Sequence, residues 1–195
     1  MELSPRVYHG FIRPAWLTKV FIHQNLTRYF NFDSKIVLDF GSGTGCNCPL
    51  FKPFQYVGID PDLKRIEYAK RKYPEYRFIV LEGSGLPIPN RSVDYILIVA
   101  VLHHIPSDLV LHYLLEFKRI LKPGGQVIAM EPCFFERCYF SNWFMSFFDK
   151  GKYIRNEDGY RRLFNDQDFE TQVLKNSRKY FYTMNFFSWR HQNDI

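Results

Sequence analysis

Short apolar runs alternate with longer amphipathic stretches along the first two thirds of the chain. Five of these runs are rich in β-branched, leucine or aromatic residues, as is typical of strands buried on both faces. They occur at residues 35–40, 55–59, 76–81, 93–101 and 126–131. Helical stretches at residues 61–72 and 108–121 separate some of them. This alternation predicts an α/β fold with a doubly wound, mostly parallel sheet.

The ends of the helices are marked by residues with known terminal preferences. Pro61 and Asp62 open the first helix, and Ser107 is predicted to cap the second. The Lys-Pro-Gly-Gly sequence at residues 122–125 is expected to end that second helix. Apolar residues at helical spacing predict one further helix before the first strand, at residues 15–30.

The last third of the chain is rich in aromatic residues. Its pattern predicts helices at residues 134–148 and 157–164, and an antiparallel C-terminal hairpin at residues 171–177 and 180–189. Four aromatic side chains share one face of the first of these helices, which is typical of packing into a core. They are Phe140, Trp143, Phe144 and Phe147. Phe134 and Phe135 fall off this face, so they are candidates to cover a site or to contact an apolar ligand.

Length and composition indicate one domain over residues 1–195. Apolar residues make up 46% of the chain, which suffices for a sizeable core, and no internal repeat or low-complexity linker divides it. We expect an N-terminal helical cap at residues 1–34, a core at residues 35–131 and an aromatic-rich region at residues 132–195.

No transmembrane helix or signal peptide is expected. The longest apolar run, residues 95–102, is far short of the ~18 residues that cross a bilayer. The beginning of the chain carries an early acidic residue and no long apolar stretch. These features favour a cytoplasmic protein.

The net charge of +6 comes in part from a basic stretch at residues 64–77. We interpret this stretch as the solvated face of a surface helix and do not expect a nucleic-acid partner, because no RNA-binding motif or zinc finger accompanies it. The four cysteines form no C-x-x-C pair, so reduced thiols are expected and a metal site is not.

Three glycines at alternate positions follow the first predicted strand directly. Gly41, Gly43 and Gly45 define what we call the glycine turn, residues 41–45. Glycine is needed where the backbone takes a positive φ or where a ligand lies against bare main chain. In a doubly wound sheet such a turn borders the crevice where ligands bind. The G-x-G-x-G spacing differs from the dinucleotide pattern G-x-G-x-x-G, and an ordinary glycine-rich turn is the alternative.

Asp60 ends the second predicted strand. A carboxylate at this position can accept hydrogen bonds from both hydroxyls of a ribose. Its alternative role is to cap the helix that follows, although Asp62 could serve that helix instead.

Five motifs then occur in order along the core. They are VLDFGSGTG at residues 37–45, VGIDPD at 57–62, LPI at 86–88 with SVDY at 92–95, VLHHI at 101–105 and LKPGG at 121–125. In this order and on these elements, the motifs resemble those of class I S-adenosylmethionine-dependent methyltransferases. Within that family, these motifs are most similar to those of the small-molecule branch that includes quinone-biosynthesis enzymes.

The resemblance implies a Rossmann-like fold, S-adenosyl-L-methionine as cofactor, and methyl transfer to a small-molecule or lipid-like acceptor. Residues 35–131 would then hold the cofactor and residues 132–195 would face the substrate. The implied cofactor-binding residues are Asp39, Gly41, Ser42, Gly43, Gly45, Asp60, Pro61, Glu82, Gly83, Ser84 and Ala100. The glycines would lie along the methionine part of the cofactor with Asp39 near its ammonium group, Asp60 on the ribose, and Pro61 or Asp62 against the adenine.

The chain departs from the family pattern in three places. The stretch between residues 45 and 60 is short and contains Pro49 and Pro53, so the first helix must be stunted. An aspartate that is common before the Leu-Pro pair is missing, which leaves Glu82 or Ser84 to meet the adenine amino group. No family motif follows Glu131, so the resemblance does not describe the acceptor side.

Two histidines follow the fourth predicted strand, and either could take a proton from an acceptor hydroxyl or amine. We favour His104 over His103 as the catalytic residue, with Tyr153 and Glu131 as weaker candidates. The alternative is that both histidines pack or cap beside the next helix.

Two other functions remain open at this stage. A nicotinamide-dependent reductase would share the sheet and the ribose-binding acid, although the third glycine lacks the dinucleotide spacing. A protein on the same fold that binds the cofactor without transferring a methyl group is the second. Peripheral contact with a membrane and the oligomeric state also stay open.

Overall fold

A computed structural model describes residues 22–148, 152–179 and 182–191. The chain divides into two compact units after Gly83. Of the helix predicted at residues 15–30, the portion up to residue 21 lies outside the described residues. Its described part contains a short helix, α1 (Gln24–Tyr29), with Leu26 buried.

The first unit contains three parallel strands in the order β3-β2-β1. They are β1 (Val37–Phe40), β2 (Tyr56–Asp60) and β3 (Arg77–Val80). The register places Asp39 opposite Gly58, and Gly58 opposite Phe78. Helix α2 (Leu63–Lys72) connects β2 to β3 and carries most of the basic stretch, whose basic side chains are largely exposed as predicted.

The connection between β1 and β2 contains no full helix. Two short 3-10 turns replace it, Cys48–Leu50 and Pro53–Gln55, and each has a proline within its first two positions. Proline lacks the N–H that a longer helix requires. The prediction of a stunted first helix is therefore confirmed.

The second unit is built on two long parallel strands. These are β4 (Val93–Val99) and β5 (Leu121–Phe134), joined by α3 (Ser107–Ile120). The Lys-Pro-Gly-Gly sequence ends α3 as predicted, and it forms an irregularity within β5, where the pairing with β4 shifts between Val93 and Tyr95.

The remaining helices and strands of this unit follow β5 along the chain. They are α4 (Tyr139–Phe148), β6 (Arg155–Asn156), α5 (Glu157–Asn165), β7 (Phe169–Lys179) and β8 (Tyr182–His191). The two-residue strand β6 runs parallel to the end of β5. Strand β8 pairs antiparallel with both β5 and β7. The predicted α/β fold, mostly parallel with an antiparallel C-terminal pair, is confirmed.

Two predictions about α4 need correction. The helix begins at Tyr139 and not at residue 134, because β5 continues through Phe134. The expected packing of the aromatic face is wrong for Phe140 and Trp143, whose side chains are 55% and 56% exposed. The buried face instead contains Met145, whose sulfur meets the Thr183 hydroxyl of β8 at 3.7 Å. The side chains of Phe144 and Phe147 lie outside the described residues.

The predicted cap of α3 is also wrong. Pro106 occupies the N-cap position and no side chain caps the helix. The Ser107 hydroxyl lies one position too late, and it accepts a hydrogen bond from the Arg155 guanidinium at 3.0 Å.

Aromatic stacking fills the interior of the second unit. The Trp189 ring stacks on Phe164 with centroids 3.7 Å apart and on Phe187 at 5.0 Å, and all three side chains are fully buried. Such contacts add to the hydrophobic stabilisation of the core. None of the helices in the described ranges has the length and apolar character needed to cross a membrane.

Candidate active site

The glycine turn follows β1 and has a left-handed backbone. The φ angles of Gly41, Gly43 and Gly45 are 76°, 53° and 77°. The N–H groups of Gly41 and Ser42 both donate to the carbonyl of Ile59 on β2, at 2.8 and 2.9 Å. A Cβ at Gly45 would lie 2.8 Å from the Phe78 ring. The turn therefore requires glycine both for its conformation and for its close approach to β3.

Asp60 fixes the glycine turn from the end of β2. Its carboxylate accepts the N–H of Gly43 at 2.9 Å through Oδ2 and the N–H of Asp62 at 2.9 Å through Oδ1. Asp62 in turn caps α2, accepting the N–H of Arg65 at 3.1 Å. Capping thus falls to Asp62, which leaves Asp60 for the turn, and its carboxylate oxygens have further lone pairs for a ligand.

The environment of Asp60 favours additional hydrogen-bond donors. Burial raises the pKa of this carboxyl, while its two backbone donors oppose the rise. A buried carboxylate is stabilised by every further donor that reaches it. Hydroxyl groups of a ribose would supply such donors, so the site suits the predicted role.

Asp39 on β1 is held by two side chains that the sequence analysis did not identify. The Tyr56 hydroxyl donates to Asp39 Oδ2 at 2.7 Å, and Asn47 Nδ2 donates to the same oxygen at 3.1 Å. Burial raises the pKa of Tyr56, and the Asp39 carboxylate beside it raises that pKa further. Tyr56 therefore stays a neutral donor.

Two buried polar atoms, one in the glycine turn and one just after it, have no hydrogen-bond partner among the described residues. Ser42 Oγ and Asn47 Oδ1 make no hydrogen bond within the part of the chain that the structure describes. Their residues are 3% and 2% exposed. Buried polar atoms without partners are costly, so their presence beside a bare backbone turn is typical of a site for a polar ligand.

The other predicted cofactor-binding residues lie in more open positions. Pro61, Glu82, Gly83 and Ser84 are exposed. Ala100 follows β4 with a φ of 57°, and its N–H donates to the carbonyl of Met130 at 2.8 Å. Glu82 and Gly83 belong to the first unit, and Ser84 and Ala100 to the second. Their roles stay predictions.

In the second unit, residues 101–105 contain a short 3-10 turn, Leu102–His104, and we call this segment the histidine turn. Glu131 of β5 is fully buried beneath it. One Glu131 oxygen accepts the N–H groups of Val101 and Leu102 at 2.8 and 2.9 Å. The other oxygen lies 2.8 Å from His103 Nδ1. Glu131 therefore anchors the turn, and both oxygens of its carboxylate are already hydrogen-bonded to groups of that turn.

The two histidines of this turn have different surroundings. The side chain of His103 is 3% exposed and is held by Glu131, whereas His104 is exposed. Their rings lie 4.0 Å apart. His104 is thus the histidine whose side chain is open to solvent. Tyr153, the weaker candidate, contributes its N–H to the turn by donating to the carbonyl of His103 at 2.9 Å.

All four cysteines are free thiols. Cys48 is buried, which raises its pKa and keeps the thiol protonated. Burial raises the pKa of Cys133 to about 12. In the described ranges, His, Cys, Asp and Glu form no group of three that could hold a metal ion.

Known relatives match about half of this chain. An uncharacterised methyltransferase of Mycobacterium sp. (strain JLS) is 30% identical over 96 residues, which are 48% of this chain and 37% of the relative. The demethylmenaquinone methyltransferase of Tropheryma whipplei is 30% identical over 99 residues, 49% and 41% of the two chains. A tRNA (carboxymethyluridine(34)-5-O)-methyltransferase of Mus musculus is 27% identical over 94 residues, 48% and 14% of the two chains. The aligned part is therefore about two fifths or less of each relative's length.

Solved structures resemble the fold over a larger share of the chain. A SAM-dependent methyltransferase from Aquifex aeolicus has a TM-score of 0.67 at 20% identity and covers 96% of this chain and 99% of its own. Human N-acetylserotonin methyltransferase in complex with SAM has a TM-score of 0.70 at 17% identity and covers 97% of this chain and 59% of its own. These identities establish likeness of fold.

The resemblance deduced from the five motifs is confirmed by a match at the level of the family. Residues 15–174 match the methyltransferase domain family, and this span includes every predicted site residue. Because the match extends over far more than half of the sequence, the chain belongs to the methyltransferase domain family.

Proposed function

We propose that this protein binds S-adenosyl-L-methionine and transfers its methyl group to a small-molecule or lipid-like acceptor. The observation that carries the proposal is the glycine turn, which is left-handed at three glycines and tied to Asp60 by the N–H of Gly43. This turn leaves main chain without side chains next to a carboxylate that can accept further hydrogen bonds.

The residues of the first unit fit this cofactor. Asp60 would accept the ribose hydroxyls, and Ser42 Oγ is a buried polar atom that needs a partner. Tyr56 and Asn47 hold Asp39 in one position, near which the cofactor ammonium group would bind. When bound, the cofactor supplies an electrophilic methyl group on a sulfonium, so the protein has to contribute mainly position and exclusion of water.

His104 is the residue that we propose takes a proton from the acceptor hydroxyl or amine. It is exposed, whereas His103 is buried against Glu131. The Glu131 oxygens are already hydrogen-bonded to the backbone of the histidine turn, which makes this carboxylate a poor candidate for the base. Proton transfer by a positioned histidine commonly accelerates a reaction about 10²- to 10⁴-fold.

Exposed aromatic side chains support an apolar acceptor. Tyr139, Phe140 and Trp143 of α4 are each more than half exposed. Large exposed apolar side chains near one another often mark a surface for ligands, lipids or other proteins. The Tropheryma whipplei relative is named for demethylmenaquinone, an acceptor of this chemical class, whereas the Mus musculus relative is named for a tRNA.

Isothermal titration calorimetry tests the cofactor. We expect S-adenosylmethionine to bind the wild-type protein and NADH not to bind. Asp60→Ala should weaken binding of S-adenosylmethionine by about 1.5–3 kcal/mol, since charge-assisted hydrogen bonds are lost. Glu67→Gln, which alters an exposed carboxylate of α2, is the matched control. Unchanged affinity in folded Asp60→Ala would contradict the ribose assignment, and binding of NADH instead would favour the reductase.

A transfer assay tests the reaction and its acceptor. Methyl-labelled cofactor is incubated with quinone and lipid extract, with sugar extract and with total tRNA. We expect label in the quinone and lipid fraction, and at least about a hundredfold slower transfer by His104→Ala. His112→Ala, which removes an exposed histidine of α3, serves as the control. Label in tRNA would overturn the acceptor class, and tight cofactor binding with no label in any fraction would favour a non-catalytic binding protein.

A further inference from the structure

The histidine turn receives hydrogen bonds from a segment about 50 residues later in the chain. Arg155 of β6 donates from one terminal nitrogen to the carbonyls of Leu102 and Tyr153, both at 3.0 Å. Its other terminal nitrogen donates to the carbonyl of Ile105 at 3.1 Å and to the Ser107 hydroxyl at 3.0 Å. A single guanidinium thus satisfies acceptors on both sides of His104.

The donors and acceptors of the turn are bound by different groups. Glu131 accepts the N–H groups at the beginning of the turn. Residues 153–155 donate to its carbonyls, because the N–H of Tyr153 reaches the carbonyl of His103 and Arg155 reaches those of Leu102 and Ile105. A short segment whose N–H groups and carbonyls are both hydrogen-bonded has few alternative conformations.

Glu131 and Arg155 are both positioned by the end of strand β5. Glu131 belongs to β5, and the parallel pairing of β6 places Arg155 opposite Cys133, two residues further along β5. The Arg155 guanidinium also lies over the fully buried Tyr160 ring, 5.7 Å from its centroid. The Tyr160 hydroxyl donates to the carbonyl of Pro132, also on β5, at 3.0 Å. Arg155 is therefore fixed by backbone pairing and by a ring that β5 itself holds.

We propose that Arg155 is a positioning residue for methyl transfer, which holds the histidine turn in the conformation that places His104 for proton transfer from the acceptor. The inference rests on the proposed function for its catalytic part and on the hydrogen bonds alone for its structural part. Arginine is needed here because its two terminal nitrogens, fixed in a planar fork, serve two separate pairs of acceptors. The single ammonium of a lysine cannot reach both pairs.

Amide hydrogen exchange tests the structural part without any acceptor. The N–H groups of His104 and Ile105 donate to the carbonyls of Val101 and Leu102. In Arg155→Lys we expect these two amides to exchange at least about tenfold faster than in the wild type, with the amides of β1 unchanged. Arg71→Ala, which removes an exposed arginine of α2, should leave all of them unchanged. Wild-type exchange at His104 and Ile105 in both Arg155→Lys and Arg155→Ala would overturn the inference.

Kinetics with the acceptor found in the transfer assay test the catalytic part. We expect Arg155→Ala to lower kcat at least about tenfold while the Kd for S-adenosylmethionine stays within about twofold. Added methylguanidinium should restore part of the kcat of Arg155→Ala and have no effect on the wild type. A merely structural role would follow if Arg155→Ala lost as much cofactor binding as kcat. It would also follow if amide exchange accelerated throughout the chain in both Arg155→Ala and Arg155→Lys. Absence of transfer by the wild type would refute the proposed function, while the exchange measurements would still decide whether Arg155 holds the turn.

Discussion

The glycine turn and the histidine turn are both short segments that follow a strand, but they are held in different ways. The glycine turn owes its conformation to its own residues, three glycines with positive φ, with one carboxylate from the neighbouring strand. The histidine turn contains no glycine, and the side chains of Glu131 and Arg155 bind its backbone. One turn is specified locally and the other by residues about 30 and 50 positions away.

This difference explains which of the two turns a single sequence can reveal. Glycines at alternate positions after a strand are a local pattern with a direct conformational meaning. Arg155 carries no such pattern, because nothing in its neighbourhood along the chain indicates that it reaches the carbonyls of Leu102 and Ile105. The conformation of the glycine turn therefore follows from local rules, whereas that of the histidine turn depends on the surrounding fold.

The largest effect is expected from removing the anchor of the histidine turn. Glu131→Ala leaves the N–H groups of Val101 and Leu102 and the ring of His103 without their partner. We expect the free energy of unfolding to fall by about 3–5 kcal/mol, as for other buried hydrogen-bond networks that lose a shared partner. Urea denaturation measures it, with Glu136→Ala, a change at an exposed glutamate, as the control. A loss below about 1 kcal/mol would mean that Glu131 is not an anchor.

The glycine turn should be broken by a single methyl group. Gly45→Ala places a Cβ at a φ of 77° and within 2.8 Å of the Phe78 ring. We expect a loss of about 2–4 kcal/mol in the free energy of unfolding, from the left-handed backbone and the overpacking together. Gly85→Ala, where the new methyl group meets no atom within 4 Å, should change stability by less than about 0.5 kcal/mol. Equal losses in the two variants would contradict the local account of this turn.

The loop that contains Leu86 and Ile88 sharpens the comparison, since side chains bind its backbone as they bind that of the histidine turn. Glu116 of α3 accepts the N–H of Leu86 at 2.7 Å, and Arg119 donates to the carbonyls of Leu86 and Ile88. The hydrogen-bonded Arg119 side chain lowers the pKa of Glu116 from 4.5 to about 2. The unfolded chain therefore takes up this proton first, and the stabilisation is present above pH 4.5 and lost as the pH falls towards 2.

Acid denaturation of Glu116→Gln measures this contribution. The variant should be less stable than the wild type by about 1–2 kcal/mol near neutral pH, and the difference should shrink between pH 4.5 and pH 2. Glu67→Gln, whose exposed carboxylate lies 3.9 Å from Arg71, should show almost no such dependence. A difference between Glu116→Gln and wild type that is constant over this pH range would contradict the account.

A loss as small as that of Glu116→Gln is expected next to the glycine turn, at the hydroxyl that holds Asp39. Tyr56→Phe removes one donor from this buried carboxylate and leaves Asn47 in place. We expect the free energy of unfolding to fall by about 1–2 kcal/mol. Thermal unfolding compares it with Tyr139→Phe, in which the removed hydroxyl belongs to a side chain that is 79% exposed. No difference between the two variants would show that the Tyr56 hydroxyl contributes nothing.

Much of the fold follows from short-range patterns. The five strands of the core, the helices α2 and α3 and the C-terminal strand pair were predicted with errors of a few residues at their ends, apart from β5, because each shows its own periodicity. The stunted helix followed from two prolines. The errors arose where a tertiary contact decided the outcome: β5 extends through Phe134 before α4, and the Ser107 hydroxyl binds Arg155 instead of capping α3.

The site shows the same division. Asp60 was predicted from its place at the end of a strand, and the structure adds that it binds the N–H of Gly43. Tyr56 was missed because its partnership with Asp39 depends on the register of β1 against β2, which pairs Val37 with Tyr56. Sequence spacing does not show register between strands that a loop separates.

The pairing of β8 with β5 has a consequence for the newly synthesised chain. Strand β8 binds β5 along residues 126–132, which include Glu131, but it is translated roughly 60 residues later. At about 5–20 residues per second, one side of β5 waits several seconds on the ribosome for its antiparallel neighbour. During that interval an apolar strand presents open hydrogen-bonding groups, a feature that favours pairing with other chains.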